Sequence, residues 1–402
     1  MSPDVLVCGA GVGGLACAHA LRRAGLDVVV LDRARAPVPV AKGELLQPQA
    51  VALLDSWGLL SALHSAGTAP AGRLAIRDPS GRVLLDLDYA TLPGDYRQIL
   101  CTEYHTVLQV MAEAVEVRRG TVVEDLLRDG GRVAGVRLAD GSEVRAGLVV
   151  AADGFSSRLR RSAGLGVRRT EYPHRLVAFE LADTTVDPEI CAYQTDGGLR
   201  LVYPLPGNRC RLYVQVHPDE LRGADLAAWC ERVLAELPAI GPLAARLRTS
   251  LGRRQILAVH RLRAPELTAP GLALVGEAAH AVHPMAAQGM NSSMADADAL
   301  ATALSGGAAV DEALRAYHRA RLDRLDHVAT VSHNAARMLT TTGGAAKRLG
   351  RRMMRHTAGN PRLLRLTAGN LSGVSLQPLS TMDRLYQLGL LTDRNAHVEV
   401  AA

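Results

Sequence analysis

Residues 4–33, DVLVCGAGVGGLACAHALRRAGLDVVVLDR, parse as strand, glycine turn, helix and strand. Val5, Leu6 and Val7 form a short apolar run rich in β-branched residues, and Gly9, Gly11 and Gly14 follow as G-x-G-x-x-G. Leu15 to Ala24 predicts a helix with small residues toward a sheet, Gly25 closes it, and Val28 to Leu31 is a second apolar strand ending at Asp32. Gly9 permits a tight turn, Gly11 lets a pyrophosphate approach the backbone, and Gly14 lets helix and strand pack closely. The unpaired N–H groups and partial positive charge of the helix start suit a phosphate. Asp32 lies 18 residues past Gly14, where a carboxylate reaches ribose hydroxyls. The stretch predicts a dinucleotide site; a glycine turn in an ordinary β-α-β unit is the bland alternative.

A length of 402 residues predicts two domains, or one with a large insertion. The apolar fraction of 48% is that of a globular enzyme. The net charge of +6 is too diffuse to argue for nucleic acid, and no module for it is visible. Six cysteines (Cys8, Cys17, Cys101, Cys191, Cys210, Cys230) lack C-x-x-C spacing and read as buried small residues in a reduced compartment. The N-terminus has no basic region before its apolar run, so no signal peptide is expected. No uncharged apolar stretch reaches the roughly 18 residues of a membrane span, and a cytoplasmic location is expected.

Along the chain, a loop with Pro37 and Pro39 precedes a turn and one amphipathic helix within Lys42–Leu63. Leu74 to Tyr89 predicts a hairpin turning at Asp78–Gly81. Thr106 to Val115 predicts a helix, and Thr121 to Val150 a run of strands whose last member, Gly147 to Ala152, is buried in the parent sheet. Residues 166–266 predict a second, largely antiparallel domain with strands at Arg200–Tyr203 and Arg211–Val216 and helices at Ala224–Leu237 and Pro242–Arg248. Leu272 to Val275 returns to the first domain, and Val310 to Leu339 is a long helix. Lys347 to Arg365 is arginine-rich; a solvated helical face is favoured there over a membrane or nucleic-acid role.

Two further strand ends present glycine and a carboxylate. In VVAADGFSSRLRRSAGL, residues 149–165, a buried strand ends at Asp153-Gly154 and a helix begins at Ser156. In PGLALVGEAAHAVHPMAAQGMNSSMADADAL, residues 270–300, a strand ends at Gly276-Glu277, and a turn with Pro284, Gln288 and Gly289 leads into a helix near Asn291. Strand ends of an open α/β sheet are where ligands bind, so the three converge on one extended cofactor. His280 and His283 could mimic metal ligands, but no third ligand is evident and no metal is expected. Tyr193, Tyr203 and Tyr213 either line a pocket or are half-buried strand tyrosines; Ser156-Ser157 lacks an acyl-transfer context.

In the order and spacing of these three motifs the chain resembles the single-component FAD-dependent aromatic hydroxylases of the para-hydroxybenzoate hydroxylase type. The matching residues are Gly9–Gly14 with Asp32, Asp153-Gly154 with Arg158, and Gly276-Glu277 through Gly289-Met290-Asn291 with Asp296. His283-Pro284 is similar to ubiquinone-biosynthesis hydroxylases, and GELLQP, residues 43–48, to squalene epoxidases. The resemblance implies an α/β fold: a Rossmann-like, glutathione-reductase-like FAD domain (1–72, 97–165, 267–340), an inserted α+β substrate domain (73–96, 166–266) and a C-terminal helical segment (341–402). It implies that Gly9, Gly11, Gly13 and Gly14 cradle FAD, that Asp32 with Arg33 holds the adenosine ribose, and that Lys42 and Gln109 also touch the cofactor. It places Asp153 and Gly154 near the flavin and its phosphates, and Gly276 with Glu277 at the ribityl and pyrophosphate end. Pro284, Gly289, Met290 and Asn291 then lie beside the isoalloxazine, with His283, Pro284 and Tyr203 as flavin-proximal candidates and no general base assigned. Glu277 stands where the family has Asp, Ala287 where it has a glycine, and the arginines expected near Lys42 and His105 are missing.

The implied activity is an FAD-dependent monooxygenase. NAD(P)H reduces FAD, O2 adds, and a flavin C4a-hydroperoxide hydroxylates a hydrophobic aromatic or polycyclic substrate, as in secondary metabolism. With one dinucleotide fingerprint, NAD(P)H binds transiently. Alkene epoxidation, a flavin oxidoreductase that inserts no oxygen, and a structural or regulatory flavoprotein remain alternatives, as do monomer and homodimer.

Overall fold

The computed structural model describes residues 2–37 and 40–397; Pro39 lies outside them. Four strands, apolar throughout except for the terminal Asp32, make the centre of a six-stranded sheet. Its order is Thr268–Ala269, Leu272–Leu274, Leu148–Ala151, Val5–Cys8, Val28–Asp32, Val117–Arg119, parallel except at the first pair. Both faces are covered, so these strands need no polar alternation. Helix Val12–Arg23 supplies Gly14, Ala16, Cys17, Ala18 and Ala20 as buried small residues, and helix Gly289–Ser305 packs against it. Register aligns Cys8 with Leu31 and Ala151, and Ala151 with Leu274. One edge therefore collects the loops that begin at Gly9, at Asp32, at Ala152 and at Val275.

The second sheet has eight strands in the order His280–Ala281, Gln255–Arg263, Arg168–Leu181, Arg209–Val216, Gly198–Leu205, Glu189–Thr195, Arg73–Arg77, Val83–Asp88. The hairpin 73–88 turns where Asp78 accepts the Ser80 and Arg82 N–H groups, and joins the sheet by a parallel pairing to Glu189–Thr195. Helices Leu226–Glu236 and Ala244–Ser250 cover one face through Trp229, Phe179 and Leu247. The other face, with Leu201, Tyr203 and Tyr213, meets Met285 and the C-terminal residues Met354, Ala368 and Leu371.

Some expectations change. The single helix within Lys42–Leu63 is two, Pro48–Ser56 and Leu60–Ala66, because Gly58 turns the chain at φ +76°. Leu45-Leu46 pairs with Ile99–Cys101 as a strand. The helix expected from Ser156 is short, Arg158–Ser162, capped by the Ser157 hydroxyl, which accepts from Arg160 N–H. The arginine-rich stretch is two helices, Gly344–Ala358 and Pro361–Ser372, separated at Asn360-Pro361.

Candidate cofactor and active site

The glycines of the opening turn divide by what surrounds them. A Cβ on Gly14 would lie 1.9 Å from the Gly9 carbonyl oxygen, and one on Gly9 (φ +112°) would lie 2.3 Å from that of Ala152. On Gly13 it would crowd Val275 at 3.2 Å. These three are demanded by the protein's own packing. Gly11 is different. It sits at φ −76°, which any residue adopts, and its Cβ would meet only the Tyr104 hydroxyl, at 3.7 Å. Among the described residues nothing requires glycine there, and the space beside it is open to an approaching ligand.

The carboxylates at this edge are preset. Asp32 accepts from Ala10 N–H (2.9 Å) and Ala34 N–H (2.8 Å), with Arg119 at 3.5 Å. Asp153 Oδ2 accepts from Arg158 and Leu159 N–H at 2.8 and 3.1 Å, while its Oδ1 is buried and has no partner among the described residues. A buried acceptor left unpaired is costly, and a ligand hydroxyl in the cleft would satisfy it. Gly154 follows Asp153 at φ +86°. Gln109 is exposed and shares with Arg119 and Pro37 a surface hollow of about 430 Å³. Since Arg119 also reaches Asp32, Gln109 belongs to the Asp32 end of the edge. Arg33 is exposed.

The third strand end is anchored from beneath. Buried Asp296 accepts from Gly276 N–H at 2.9 Å, His280 Nε2 lies 2.6 Å away, and Arg321 Nε donates at 2.7 Å. Burial alone would raise this carboxyl, but His280 and Arg321 hold it below the usual range. Glu277 itself points outward and meets Lys42 at 3.4 Å; it caps no helix. Lys42 also lies over the Tyr104 ring, 5.5 Å from its centroid. Tyr104 thus touches the Gly11, Lys42 and Gly43 segments together, which neighbours in sequence could not reveal.

The Pro284 turn is held by polar groups from three elements. Ala287 adopts a left-handed conformation, φ +49°, which costs a non-glycine residue about 1–2 kcal/mol. Asn291 accepts from Gln47 N–H at 2.8 Å and donates to the Ala287 carbonyl; Gln47 accepts from the Tyr89 hydroxyl at 3.0 Å. Gly289 opens the helix with free space on its Cβ side, and Met290 reaches the Gly43 segment. His283 accepts from Met285 N–H on Nδ1, which leaves its proton on Nε2, 3.0 Å from His174 Nε2. Burial, helped by His174 and His333, pushes His283 down to about 3; burial and Arg175 push His174 down to about 4. Tyr172 sets its ring edge-on to His283 at 4.7 Å, and its hydroxyl lies 3.0 Å from His333. His280 and His283 therefore serve separate clusters.

Tyr203 is buried and donates to Glu44 at 2.7 Å; Arg211 grips the same carboxylate at 2.6 and 2.9 Å. Tyr213 donates to the Ala41 carbonyl at 2.9 Å. The loop bearing Lys42 and Gly43 is thereby fastened to the second sheet. Tyr203 and Tyr213 share a face, with ring centroids 6.2 Å apart, whereas Tyr193 packs toward Trp229 on the other. Arg211, His174 and Tyr104 carried no signal in the sequence; Glu44, inside GELLQP, did.

The family described as "FAD binding domain" matches residues 2–332. The chain is 30% identical over 306 residues to a 6-methylpretetramide 4-monooxygenase of Streptomyces rimosus, covering 73% of each. It is 32% identical over 333 residues to the ubiquinone hydroxylase UbiL of Rhodospirillum rubrum, covering 75% of this chain and 72% of that one. Among solved structures, PqsL of Pseudomonas aeruginosa, a probable FAD-dependent monooxygenase, superposes with a TM-score of 0.77 at 28% identity, covering 84% of this chain and 97% of that one.

Proposed function

The chain belongs to the FAD-binding-domain family of flavin-dependent monooxygenases, and on that premise we propose that it hydroxylates an aromatic or polycyclic ring compound of secondary metabolism. The observation that carries the reading is the edge where Gly11 is open and Asp153 keeps a buried oxygen unpaired. FAD fits there, and when bound and reduced by NAD(P)H it supplies the activation of O2. In this reading the Gly11 backbone and the start of helix Val12–Arg23 bind the pyrophosphate. Asp32, preset by two N–H groups, receives ribose hydroxyls, with Arg33 and Gln109 at the same end. Lys42 and Glu277 face the ribityl chain, and the Pro284–Asn291 turn orients the ring. The buried apolar face of Leu201, Tyr203, Tyr213 and Met285 excludes water behind that turn and backs the side assigned to the substrate. The division into FAD, substrate and C-terminal segments at 1–72, 97–165 and 267–340, 73–96 and 166–266, and 341–402 belongs to the same proposal, as do a cytoplasmic setting and a monomer or homodimer.

The GELLQP run supports no separate epoxidase reading. Its Glu44 is engaged by Arg211 and its Gln47 by Tyr89 and Asn291, so those residues hold the loop in place. The reading is tested by incubating the holoprotein with NAD(P)H, 18O2 and a panel of polycyclic phenols. Substrate-dependent NAD(P)H consumption with one labelled hydroxyl in the product supports it; a labelled epoxide, or consumption with no label in any product, counts against it.

Glu277 gives a sharper check. Among the described residues its side chain meets Lys42 alone, an exposed pair worth about 0–1 kcal/mol to stability. A hydrogen bond from a cofactor hydroxyl to the carboxylate is worth about 1.5–3 kcal/mol. Glu277→Ala is therefore expected to weaken FAD binding roughly 10- to 150-fold and to leave apoprotein melting nearly unchanged. Unchanged affinity with a lower melting temperature would make the carboxylate structural.

A further inference from the structure

The chain's charge is not spread evenly. The last 62 residues carry nine lysines and arginines against three acids, whereas the first 340 carry thirty-seven of each. All of the net +6 resides in the C-terminal helical segment. Helix Gly344–Ala358 has two sides. Lys347, Gly350, Met354 and Thr357 are buried, and Met354 joins the core that contains Tyr203, Tyr213 and Met285. One helical face away, Arg348, Leu349, Arg352 and Arg355 are exposed. The described acids of the segment, Asp383 and Asp393, both pair with Arg362, and Asp196 pairs with inward-facing Lys347. Among the described residues no carboxylate pairs with Arg348, Arg352 or Arg355.

Apolar side chains stand among these cations. Leu349 is 49% exposed, Leu390 61% and Leu391 47%. Arg352 donates to the Gly389 carbonyl at 3.3 Å, and Gly389 abuts His356, so the Leu390-Leu391 pair adjoins the arginine face. Protruding leucines among arginines that have no carboxylate partner among the described residues suit a surface with anionic heads and an apolar interior. The nearby Tyr386 ring is covered by Arg362, so the described residues of this face offer no open aromatic platform of the kind that stacks nucleic-acid bases.

We propose that this outer face, Arg348, Leu349, Arg352, Arg355, Leu390 and Leu391, docks the protein on an anionic phospholipid bilayer. The inner side of the same helices packs on the apolar face behind the side assigned to the substrate. Docking would place that side near the phase into which a hydrophobic ring compound partitions, a consequence that rests on the proposed function; the docking itself does not.

The test is sedimentation of the FAD-loaded protein with vesicles of phosphatidylcholine alone or mixed with phosphatidylglycerol. Binding to the mixed vesicles only, reversed at about 1 M salt, is expected. Each arginine near such a surface contributes enough that the triple variant R348Q/R352Q/R355Q should bind roughly 100-fold more weakly. Its flavin absorbance and melting temperature should match the parent's. L390S/L391S should leave adsorption at low salt but make it more salt-sensitive. Equal binding to both vesicle types, no binding, an unaltered triple variant, or preference for polyglutamate or duplex DNA over the mixed vesicles would overturn the inference.

Discussion

Arg211→Met is expected to lower the unfolding free energy by about 3–5 kcal/mol, the cost of leaving one partner of a buried ion pair uncompensated. The stranded partner is Glu44, whose side chain is 1% exposed and which, among the described residues, keeps only the Tyr203 hydroxyl once the guanidinium is gone. The paired change Glu44→Gln with Arg211→Met should recover most of the loss, because no bare charge is then buried. Thermal melts of the apoproteins decide the matter. Near-equal melting of Arg211→Met and the parent would mean that water reaches Glu44. The loop fastened by this pair carries Lys42 and Gly43, so FAD affinity should fall in Arg211→Met and return in the double variant.

Acid should destabilise the protein through His174 and His283. Both are neutral in the fold, with pKa values pushed down to about 4 and 3, whereas in the unfolded chain they titrate near 6.5. Below about pH 6.5 the unfolded chain takes up protons that the folded one refuses, so stability falls as pH falls. The loss is about 1.4 kcal/mol per pH unit for each histidine, or about 2–4 kcal/mol for the pair between pH 6.5 and 5. In His174→Gln/His283→Asn an Asn oxygen can still accept from Met285 N–H, and stability over that window should depend less on pH. Identical slopes for variant and parent would assign acid sensitivity to the carboxylates instead.

What the sequence disclosed, and what it hid, follows from the range of the interactions. The strand–glycine–helix–strand opening is local: two apolar strand runs, the three glycines of the motif and one carboxylate fall within 30 residues and need no distant partner. The parallel sheet was legible because strands buried on both faces read as unbroken apolar runs. Tertiary fastening was not legible. Glu44 and Arg211 are 167 residues apart, His174 and His283 are 109, and nothing in either neighbourhood marks the pairing. The single helix expected after the turn within Lys42–Leu63 is divided in two for a different reason. Its apolar spacing suits a helix, but Gly58 takes a positive φ and the chain restarts at Leu60. Likewise Tyr203 reads as either a pocket tyrosine or a half-buried strand tyrosine, and only the folded chain shows it buried with its hydroxyl committed to Glu44.

Titration of FAD into the apoprotein and into apo Gly11→Val, followed by quenching of flavin fluorescence, tests the account most directly. Gly9, Gly13 and Gly14 are required by contacts within the protein, so their loss would disturb the fold. Gly11 alone among them has open space beside it, which the proposed function gives to the cofactor. The parent should saturate at one FAD per chain, and Gly11→Val should melt as the parent apoprotein does yet bind no FAD. A Gly11→Val protein that binds FAD as tightly as the parent would contradict the assignment of that edge to the cofactor.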